Sequence, residues 1–363
     1  MANIILSGIP SVGKSKILED LRNFSKSIDF NVYSLGDMMT QLTKNTLNLE
    51  KNKFVLLDQN IQKAIREGAI NQIILNMNQY NSKNNIIESA MTLMDSYGIQ
   101  QIVINSEQLR KINESFPIDY FVNIYGSPEK ILNQFKNSYF PNSKQDILQW
   151  QTIEASTAEN LRPNGSKFLV LPADNSSQSI AKLIYSIENE INPNVIYYAG
   201  PITHLVDNVN DSDCILEKKR KDRESMDDLE NLLQKYSIVV SPIKIDDLNS
   251  STRNEIEHVK FRDLKWFATQ SDVLVAYFPG NYESKGTTAE INYTKNLGKN
   301  VILIHPNSDK ETFAIQSDLH FRSKDEFLEK LDLFKNKGPM SKGEEILLYF
   351  FNNSGKPKYE KLY

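Results

Sequence analysis

The feature that most constrains the fold is a glycine-rich loop close to the N-terminus. The segment GIPSVGKS, from Gly8 to Ser15, fits the pattern G-x-x-x-x-G-K-[ST]. It follows the apolar run NIILS and precedes the helical pattern KSKILEDLRNF, which is the setting in which such loops bind phosphate. The segment therefore predicts an α/β domain that binds a nucleotide by its phosphates.

Each part of this loop has its own role in binding. The glycines let backbone N–H groups surround a phosphate, Lys14 neutralises phosphate oxygens, and the Ser15 hydroxyl can hold Mg²⁺. ATP with Mg²⁺ is therefore the predicted cofactor of this domain. The predicted ATP-binding residues are Gly8, Ser11, Val12, Gly13, Lys14 and Ser15.

Strand-like apolar runs alternate with helical patterns along the chain, which favours two doubly wound α/β domains with mostly parallel sheets. The first half contains the predicted strands NIILSG, NNIIES, QQIVIN, DYFVNIY and KFLVLPA. After the polar joint ENEINPNV, the second half contains VIYYAG, SIVVSP, DVLVAYF and NVILIHP, with helices near 213–236, 254–270, 287–297 and 324–335. Because 363 residues exceed one compact core, we predict domains at 1–192 and 193–336 and a tail at 337–363.

Composition argues against several classes of function. A net charge of −4 disfavours wholesale nucleic-acid binding, which needs a basic surface. No apolar run approaches the roughly 20 residues of a membrane span, and MANIILSGIP starts on a strand without the basic region of a signal peptide. We therefore expect a cytoplasmic protein with no membrane or nucleic-acid partner. A single cysteine, Cys214, and four isolated histidines disfavour metal catalysis.

Around the loop, YSLGDMM (33–39) and FPIDYFVNIYGSPEKILNQF resemble the archaeal-type adenylate kinases and their nucleoside monophosphate kinase relatives, over roughly residues 1–190. The resemblance implies that Asp37 lies in a monophosphate pocket. The lid-like segment NQFKNSYFPNSKQDILQW, however, has no arginine and only Lys136 and Lys144. Since phosphoryl transfer depends on positive charge around the transferred group, nucleotide binding with or without kinase turnover stays open. Glu88 stands where an acid would steady the metal.

A second constellation lies in ESKGTTAEI, residues 283–291. Glu290 opens a predicted helix after the strand DVLVAYF, at the carboxyl end of a sheet, where open α/β folds bind ligands. An acid in a first helical turn also complements the helix dipole, so Glu290 alone is not decisive. Asp263 in the preceding helix and the Gly-Pro turn of YYAGPIT are expected beside the same crevice.

The stretch from RDLKW to KNVILI resembles the nucleoside 2'-deoxyribosyltransferase superfamily, including the 2'-deoxynucleoside 5'-monophosphate N-glycosidases, over roughly residues 195–335. The resemblance implies a flavodoxin- or Rossmann-like domain that needs no cofactor and cleaves the bond between sugar and base. It implies Glu290 as nucleophile, Asp263 as the residue that manages the proton of the base, and Tyr197 beside the nucleophile. Asp272 is expected to be structural. The implied substrate-binding residues are Gly200, Ile202, Thr203, Ser284, Gly286 and Thr287.

Ser284 bears on the substrate. The transferases carry an aspartate six residues before the nucleophile, where it binds the sugar 5'-hydroxyl, and the monophosphate glycosidases carry serine there. Ser284, with Lys285 beside it, favours a nucleoside 5'-monophosphate over a nucleoside, because a carboxylate would repel a phosphate. Glu283 could instead present an acid to a 5'-hydroxyl. The base, the sugar, and the choice between water and a second base as acceptor stay open.

Four functions are compatible with these patterns. The first is an N-glycosidase acting on a nucleoside monophosphate, fused to an ATP-binding domain, and the second is a nucleoside 2'-deoxyribosyltransferase. The third is a nucleoside monophosphate kinase with a C-terminal nucleotide-sensing domain. The fourth is an effector that degrades a nucleotide or NAD when ATP is bound at Lys14. The family resemblance also favours a homo-oligomer.

Overall fold

The chain forms two compact units in a computed structural model, Met1–Ile191 and Asn192–Tyr363. The structure describes residues 1–24, 28–47, 57–79, 83–94, 100–135, 143–205, 211–243, 245, 253–306, 317–337, 346–347, 350 and 359. Both units are α/β with parallel main sheets, which confirms the α/β class and the parallel sheets of the prediction. In the described part of the chain, no helix is long and apolar enough to cross a membrane.

The N-terminal unit has a five-stranded parallel sheet in the order β2-β3-β1-β6-β7. Its strands are β1 Asn3–Ser7, β2 Phe30–Ser34, β3 Asn84–Glu88, β4 Thr92–Met94, β5 Gln100–Ile102, β6 Tyr120–Tyr125 and β7 Lys167–Pro172. Its helices are α1 Lys14–Phe24, α2 Leu35–Leu47, α3 Gln59–Gln79, α4 Ser106–Ser115, α5 Pro128–Gln134, α6 Lys144–Leu161 and α7 Ser176–Glu188.

The central strand β1 explains how this sheet is covered. All five of its residues are buried, and Ile5 joins a core with residues of α2, α3 and α4. Ile4 and Leu6 have the opposite parity and are equally buried, so helices cover both faces, as expected for a parallel sheet. The glycine-rich loop leaves β1 at the carboxyl edge of the sheet.

The main sheet of this unit differs from the prediction in two strands. QQI does form a strand, β5, but it pairs antiparallel with β4 outside the main sheet. The sheet instead gains β2, whose run FNVYS was not predicted as a strand. β2 is an edge strand of mostly half-buried residues, so its apolar signal is weak.

The C-terminal unit also has a five-stranded parallel sheet, in the order β12-β11-β10-β8-β9. Counted along the chain this is the order 2-1-3-4-5, the flavodoxin-like arrangement, whose switch point lies between β8 and β10. The strands are β8 Val195–Ala199, β9 Ile238–Val240, β10 Val273–Tyr277, β11 Asn300–Ile304 and β12 Leu319–Phe321. The helices are α8 Asp213–Leu233, α9 Arg253–Arg262, a π-helical segment Asp263–Ala268, α10 Lys285–Asn296 and α11 Lys324–Lys337.

One face of this sheet packs on α8, α11 and part of the tail. Tyr198 and Val275 from the sheet join residues of both helices in a single apolar core. The described tail residues Ile346, Leu347 and Phe350 belong to the same core, where the Phe350 ring contacts Phe327. Alternation along β8 turns Tyr197 to the other face, on the side of α9 and α10.

Candidate functional site

The glycine-rich loop has the backbone geometry of a phosphate-binding loop. Gly8, Ser11 and Gly13 have positive φ angles of 149°, 65° and 103°, so the backbone turns sharply before α1 begins at Lys14. A Cβ on Gly8 would lie 3.0 Å from the Ile124 carbonyl oxygen, which explains glycine at that position. The loop thus ends at the N-terminus of a helix, where the dipole favours anions.

The charged residues predicted for this site lie together. Lys14 is buried, and its Nζ donates to the carbonyls of Gly8 (2.6 Å) and Ile9 (3.2 Å). The same Nζ lies 3.5 Å from Oε1 of Glu88, whose Oε2 accepts a hydrogen bond from Ser34 Oγ. The ends of β1, β2 and β3 therefore place a lysine beside an acid at one edge of the sheet.

The residues at this edge fit ATP and Mg²⁺. Ser15 is exposed in the first turn of α1, where its hydroxyl can meet a metal bound to phosphate. Glu88 supplies a carboxylate close to the lysine. Asp37, predicted in a monophosphate pocket, is exposed in the first turn of α2, and its backbone N–H donates to Ser34 Oγ at 3.2 Å. The predicted lid includes Lys136, which lies outside the described residues.

The C-terminal unit contains a cavity of about 470 Å³. It opens where β8 and β10 end, at the switch point of the sheet, which is where such folds bind ligands. Its volume suits a small organic molecule such as a nucleotide. The cavity is lined by Gly200, Ile202, Thr203, His204, Ile256, Val259, Lys260, Asp263, Glu283, Ser284, Lys285, Gly286, Thr287 and Glu290.

Most residues predicted for the second site lie in this lining. They are both carboxylates, Asp263 and Glu290, and the six predicted substrate-binding residues. Glu283, the alternative acid, lines the cavity as well. Asp272 lies away from it, at the start of β10, and its Oδ2 accepts the backbone N–H of Val195 at 2.8 Å.

Tyr197 lies behind the two carboxylates. It is fully buried, and its hydroxyl has no hydrogen-bond partner of ordinary geometry among the described residues. Glu290 and Asp263 are nevertheless close enough to act on it: burial, and then the charges of Asp263 and Glu290, raise the pKa of Tyr197 well above its usual range. Tyr197 is therefore a neutral phenol that can donate a proton towards Glu290.

Asp263 is held by its neighbour in the chain. It opens the π-helical segment after α9, a local distortion that is frequent at functional sites. Arg262 is fully buried, and its Nε and Nη2 lie 2.8 Å and 2.6 Å from Oδ1 of Asp263. The guanidinium also lies over the ring of Phe267, 4.9 Å from its centre. Arg262 thus fixes the orientation of the Asp263 carboxylate.

A hydroxyl relay connects the helix of Glu290 to the turn after β8. Ser284 caps α10 by accepting the N–H of Thr287 at 3.2 Å. Thr287 Oγ1 lies 3.0 Å from Ser284 Oγ and 2.9 Å from the carbonyl oxygen of Gly200. A Cβ on Gly200 would lie 3.0 Å from the Tyr277 carbonyl oxygen, a tight contact with backbone that favours glycine. The relay sets the position of α10, and thereby of Glu290.

Sequence reasoning missed the contribution of α9 to the cavity. Ile256, Val259 and Lys260 precede Asp263 by seven, four and three residues, so all four lie on one face of the helix. That spacing is readable in the sequence. Lys260 and Lys285 give the cavity positive charge beside its three acids. Among the described residues no group of three or more His, Cys, Asp or Glu side chains is placed so that it could hold a metal ion.

Comparison with known proteins bears on the N-terminal unit. Residues 7–154 match a family model described as an AAA domain. The match begins beside the glycine-rich loop and ends in α6, so it lies within the N-terminal unit. No curated protein matches the chain. The resemblance of the C-terminal unit to deoxyribosyltransferases receives no support from these comparisons.

Several solved structures show weak likeness. A sugar kinase from Janibacter sp. HTCC2649 has 15% identity and a TM-score of 0.31, covering 52% of this chain and 95% of its own. The tunicamycin resistance protein of Deinococcus radiodurans has 13% identity and a TM-score of 0.32, covering 53% and 98%. A structure of the PezAT chromosomal toxin-antitoxin system of Streptococcus pneumoniae has 12% identity and a TM-score of 0.31, covering 62% and 86%. Likeness of this size assigns no activity. The loop geometry and the family match agree with a P-loop in the N-terminal unit, which suggests that this unit binds a nucleotide.

Proposed function

We propose that this chain is a two-site enzyme of nucleotide metabolism. Its P-loop unit binds ATP and Mg²⁺. Its C-terminal unit cleaves the N-glycosidic bond of a nucleoside 5'-monophosphate. The observation that carries the second part is one cavity at the sheet switch point that contains Asp263 and Glu290, with the buried phenol of Tyr197 behind them.

The chemistry follows from two carboxylates beside one sugar carbon. Glu290 attacks the anomeric carbon and forms a glycosyl ester as the bond to the base breaks, and Asp263, in its protonated carboxylic acid form at this stage, gives its proton to the departing base. Water then attacks the same carbon, Asp263 takes a proton from the water, and Glu290 leaves as a carboxylate. Tyr197 can donate a hydrogen bond to Glu290 and so orient it for attack.

The N-terminus of α10 is the proposed binding site of the 5'-phosphate. Lys285 begins this helix and lines the cavity, so its charge and the helix dipole both favour an anion there. Lys260 contributes a second positive charge from α9. A nucleoside without phosphate would gain nothing from these charges.

The test is release of free base from a panel of ribo- and deoxyribonucleoside 5'-monophosphates, measured by chromatography. We expect Glu290→Gln to abolish release and Asp263→Asn to lower it by about 10² to 10⁴-fold, the usual worth of a general acid-base group. Asp272→Asn is the control, because Asp272 is in the same unit but lies away from the cavity, where it accepts the backbone N–H of Val195. Release that survives Glu290→Gln, or no release from any substrate, contradicts the proposal.

A second candidate is phosphoryl transfer at the P-loop. The contact of Lys14 with Glu88 favours it, because a lysine and a metal-binding acid are the parts that kinases of this kind need. The family match supports this candidate more directly than it supports base release. Formation of ADP and a nucleoside diphosphate from ATP and a monophosphate tests it.

A further inference from the structure

Glu154, on α6, lies beneath the P-loop with no exposure to solvent. Its Oε1 accepts the backbone N–H of Gly8 at 3.1 Å and that of Met91 at 2.7 Å. Its Oε2 accepts the backbone N–H of Thr92 at 2.7 Å and the Thr92 hydroxyl at 2.6 Å. A single carboxylate therefore joins the first glycine of the loop to the segment that follows β3.

The same helix fastens a third strand end. Gln151, one turn before Glu154, accepts the backbone N–H of Gly126 at 2.7 Å and donates to its carbonyl at 3.2 Å. A Cβ on Gly126 would lie 3.0 Å from Cγ2 of Val12, so this turn touches the loop. The helix α6 therefore holds the ends of β1, β3 and β6 at the edge where nucleotide binds.

We propose that Glu154 is a positioning residue of the P-loop, and that its carboxylate sets the loop conformation that ATP requires. The proposal rests on the proposed binding of nucleotide at Lys14. The four contacts of Glu154 are with donors, and an ionised carboxylate has only acceptors, so the two sets are complementary. Because Glu154 holds Gly8, the backbone N–H groups of the loop residues after Gly8 and the side chain of Lys14 keep their positions.

The chemical identity of the side chain is what matters in this account. Glutamine has the shape of glutamate, but its NH₂ group would face N–H donors and leave at least one of them buried without an acceptor. A purely steric role would be satisfied by glutamine, whereas the proposed role would not. Burial raises the pKa of Glu154, and hydrogen bonds from Met91 and Thr92 together with the charge of Lys14 oppose that rise.

The experiment compares Glu154→Gln in the full chain with the wild type by two measurements. Calorimetric titration with ATP and Mg²⁺ gives affinity. Hydrogen exchange of the protein without nucleotide reports on the amides of Gly8, Met91 and Thr92. We expect about tenfold or greater weakening of ATP binding and about tenfold or greater acceleration of exchange at these amides, the usual effect of a buried unsatisfied donor. Glu159→Gln, on the same helix and outside the P-loop contacts described, is the matched control.

Thr92→Val is a milder variant for the case in which Glu154→Gln fails to fold. It removes one of the four contacts of Glu154 and keeps the three backbone donors. We expect an intermediate loss of affinity from it. Unchanged exchange in Glu154→Gln overturns the proposal, and so does faster exchange with unchanged ATP affinity, since that would leave Glu154 a structural role only. If the wild type binds no ATP, the proposed nucleotide binding fails on its own and this role of Glu154 is overturned with it, while exchange still shows whether the carboxylate holds the loop.

Discussion

The hydrogen bonds of Ser284 indicate a role other than the predicted contact with the substrate. The Thr287 hydroxyl has one proton, and the Gly200 carbonyl, 2.9 Å away, can only accept it. The remaining contact of Thr287 Oγ1, with Ser284 Oγ at 3.0 Å, therefore uses the proton of Ser284. Ser284 also accepts the Thr287 N–H, so its one proton is used within the protein and its hydroxyl has no donor left for a phosphate. The groups left for a 5'-phosphate are the remaining N–H groups of the first turn of α10 and the ammonium group of Lys285.

This argument predicts a separation between two neighbouring residues. We expect Ser284→Ala to lower base release from a monophosphate and from its nucleoside by the same factor, because it loosens the helix that carries Glu290. We expect Lys285→Met to lower kcat/KM for the monophosphate by about tenfold and to leave the nucleoside rate nearly unchanged. The measurement is the ratio of the two kcat/KM values in each variant. A ratio that falls in Ser284→Ala would return the phosphate contact to the serine.

At the scale of single helices, α7 contains an ionisable group in the core. Lys182 is fully buried, and burial lowers its pKa from the usual 10.5 to about 7. Between these two values the unfolded chain binds more protons than the folded chain, so the free energy of unfolding rises with pH through this window. The largest slope that one group can give is about 1.4 kcal/mol per pH unit.

We expect Lys182→Met to flatten the dependence of the free energy of unfolding on pH. We also expect it to make the protein more stable at pH 7, where the buried amine still lowers the stability of the wild type. Urea denaturation at several pH values between 7 and 10 measures both effects. Lys16→Met, an exposed lysine on α1, is the control and should keep the wild-type slope. An unchanged slope in Lys182→Met would show that Lys182 is charged in the folded state.

Elements with a strong signal in the sequence were predictable, and weakly marked ones were not. The strands β1, β6, β8 and β10 are buried along their whole length, and each has a mostly apolar sequence. The edge strand β12 has three residues with exposed His320 at its centre, and it was not predicted. Short edge strands carry too few apolar residues to stand out from loops.

The candidate sites also contain some residues that could be predicted from the sequence and others that could not. Gly8 to Ser15 follow a pattern of residue type and spacing, which a sequence displays, and the pair Asp263 and Glu290 was predicted from a family resemblance. Glu154 lies 146 residues from Gly8 in the chain, and only the folded sheet brings them together. Arg262 was adjacent to a predicted residue, but its full burial against Phe267 depends on the π-helical segment. Contacts of this kind cannot be derived from local patterns.

At the scale of the whole molecule, the question is whether the two sites act on each other. The residues that line the cavity run from Gly200 to Glu290, so all of them belong to the C-terminal unit. The P-loop contacts of Lys14 and Glu154 involve residues of the N-terminal unit. The described contacts of each candidate site thus lie within one unit. The gated-effector hypothesis requires more, namely that ATP at Lys14 changes the rate at Glu290.

We expect no such requirement, because the proposed nucleophile, proton donor and phosphate site are complete within one unit. Base release should therefore be the same within about twofold with and without ATP and Mg²⁺, and the same in Lys14→Ala; a twofold change corresponds to less than 1 kcal/mol of coupling. Kinase products measured in the same reactions report separately on the P-loop, and they should disappear in Lys14→Ala. Base release that needs ATP and is lost in Lys14→Ala would establish coupling, since a substitution at the P-loop can reach Glu290 only through a change of state that both sites share.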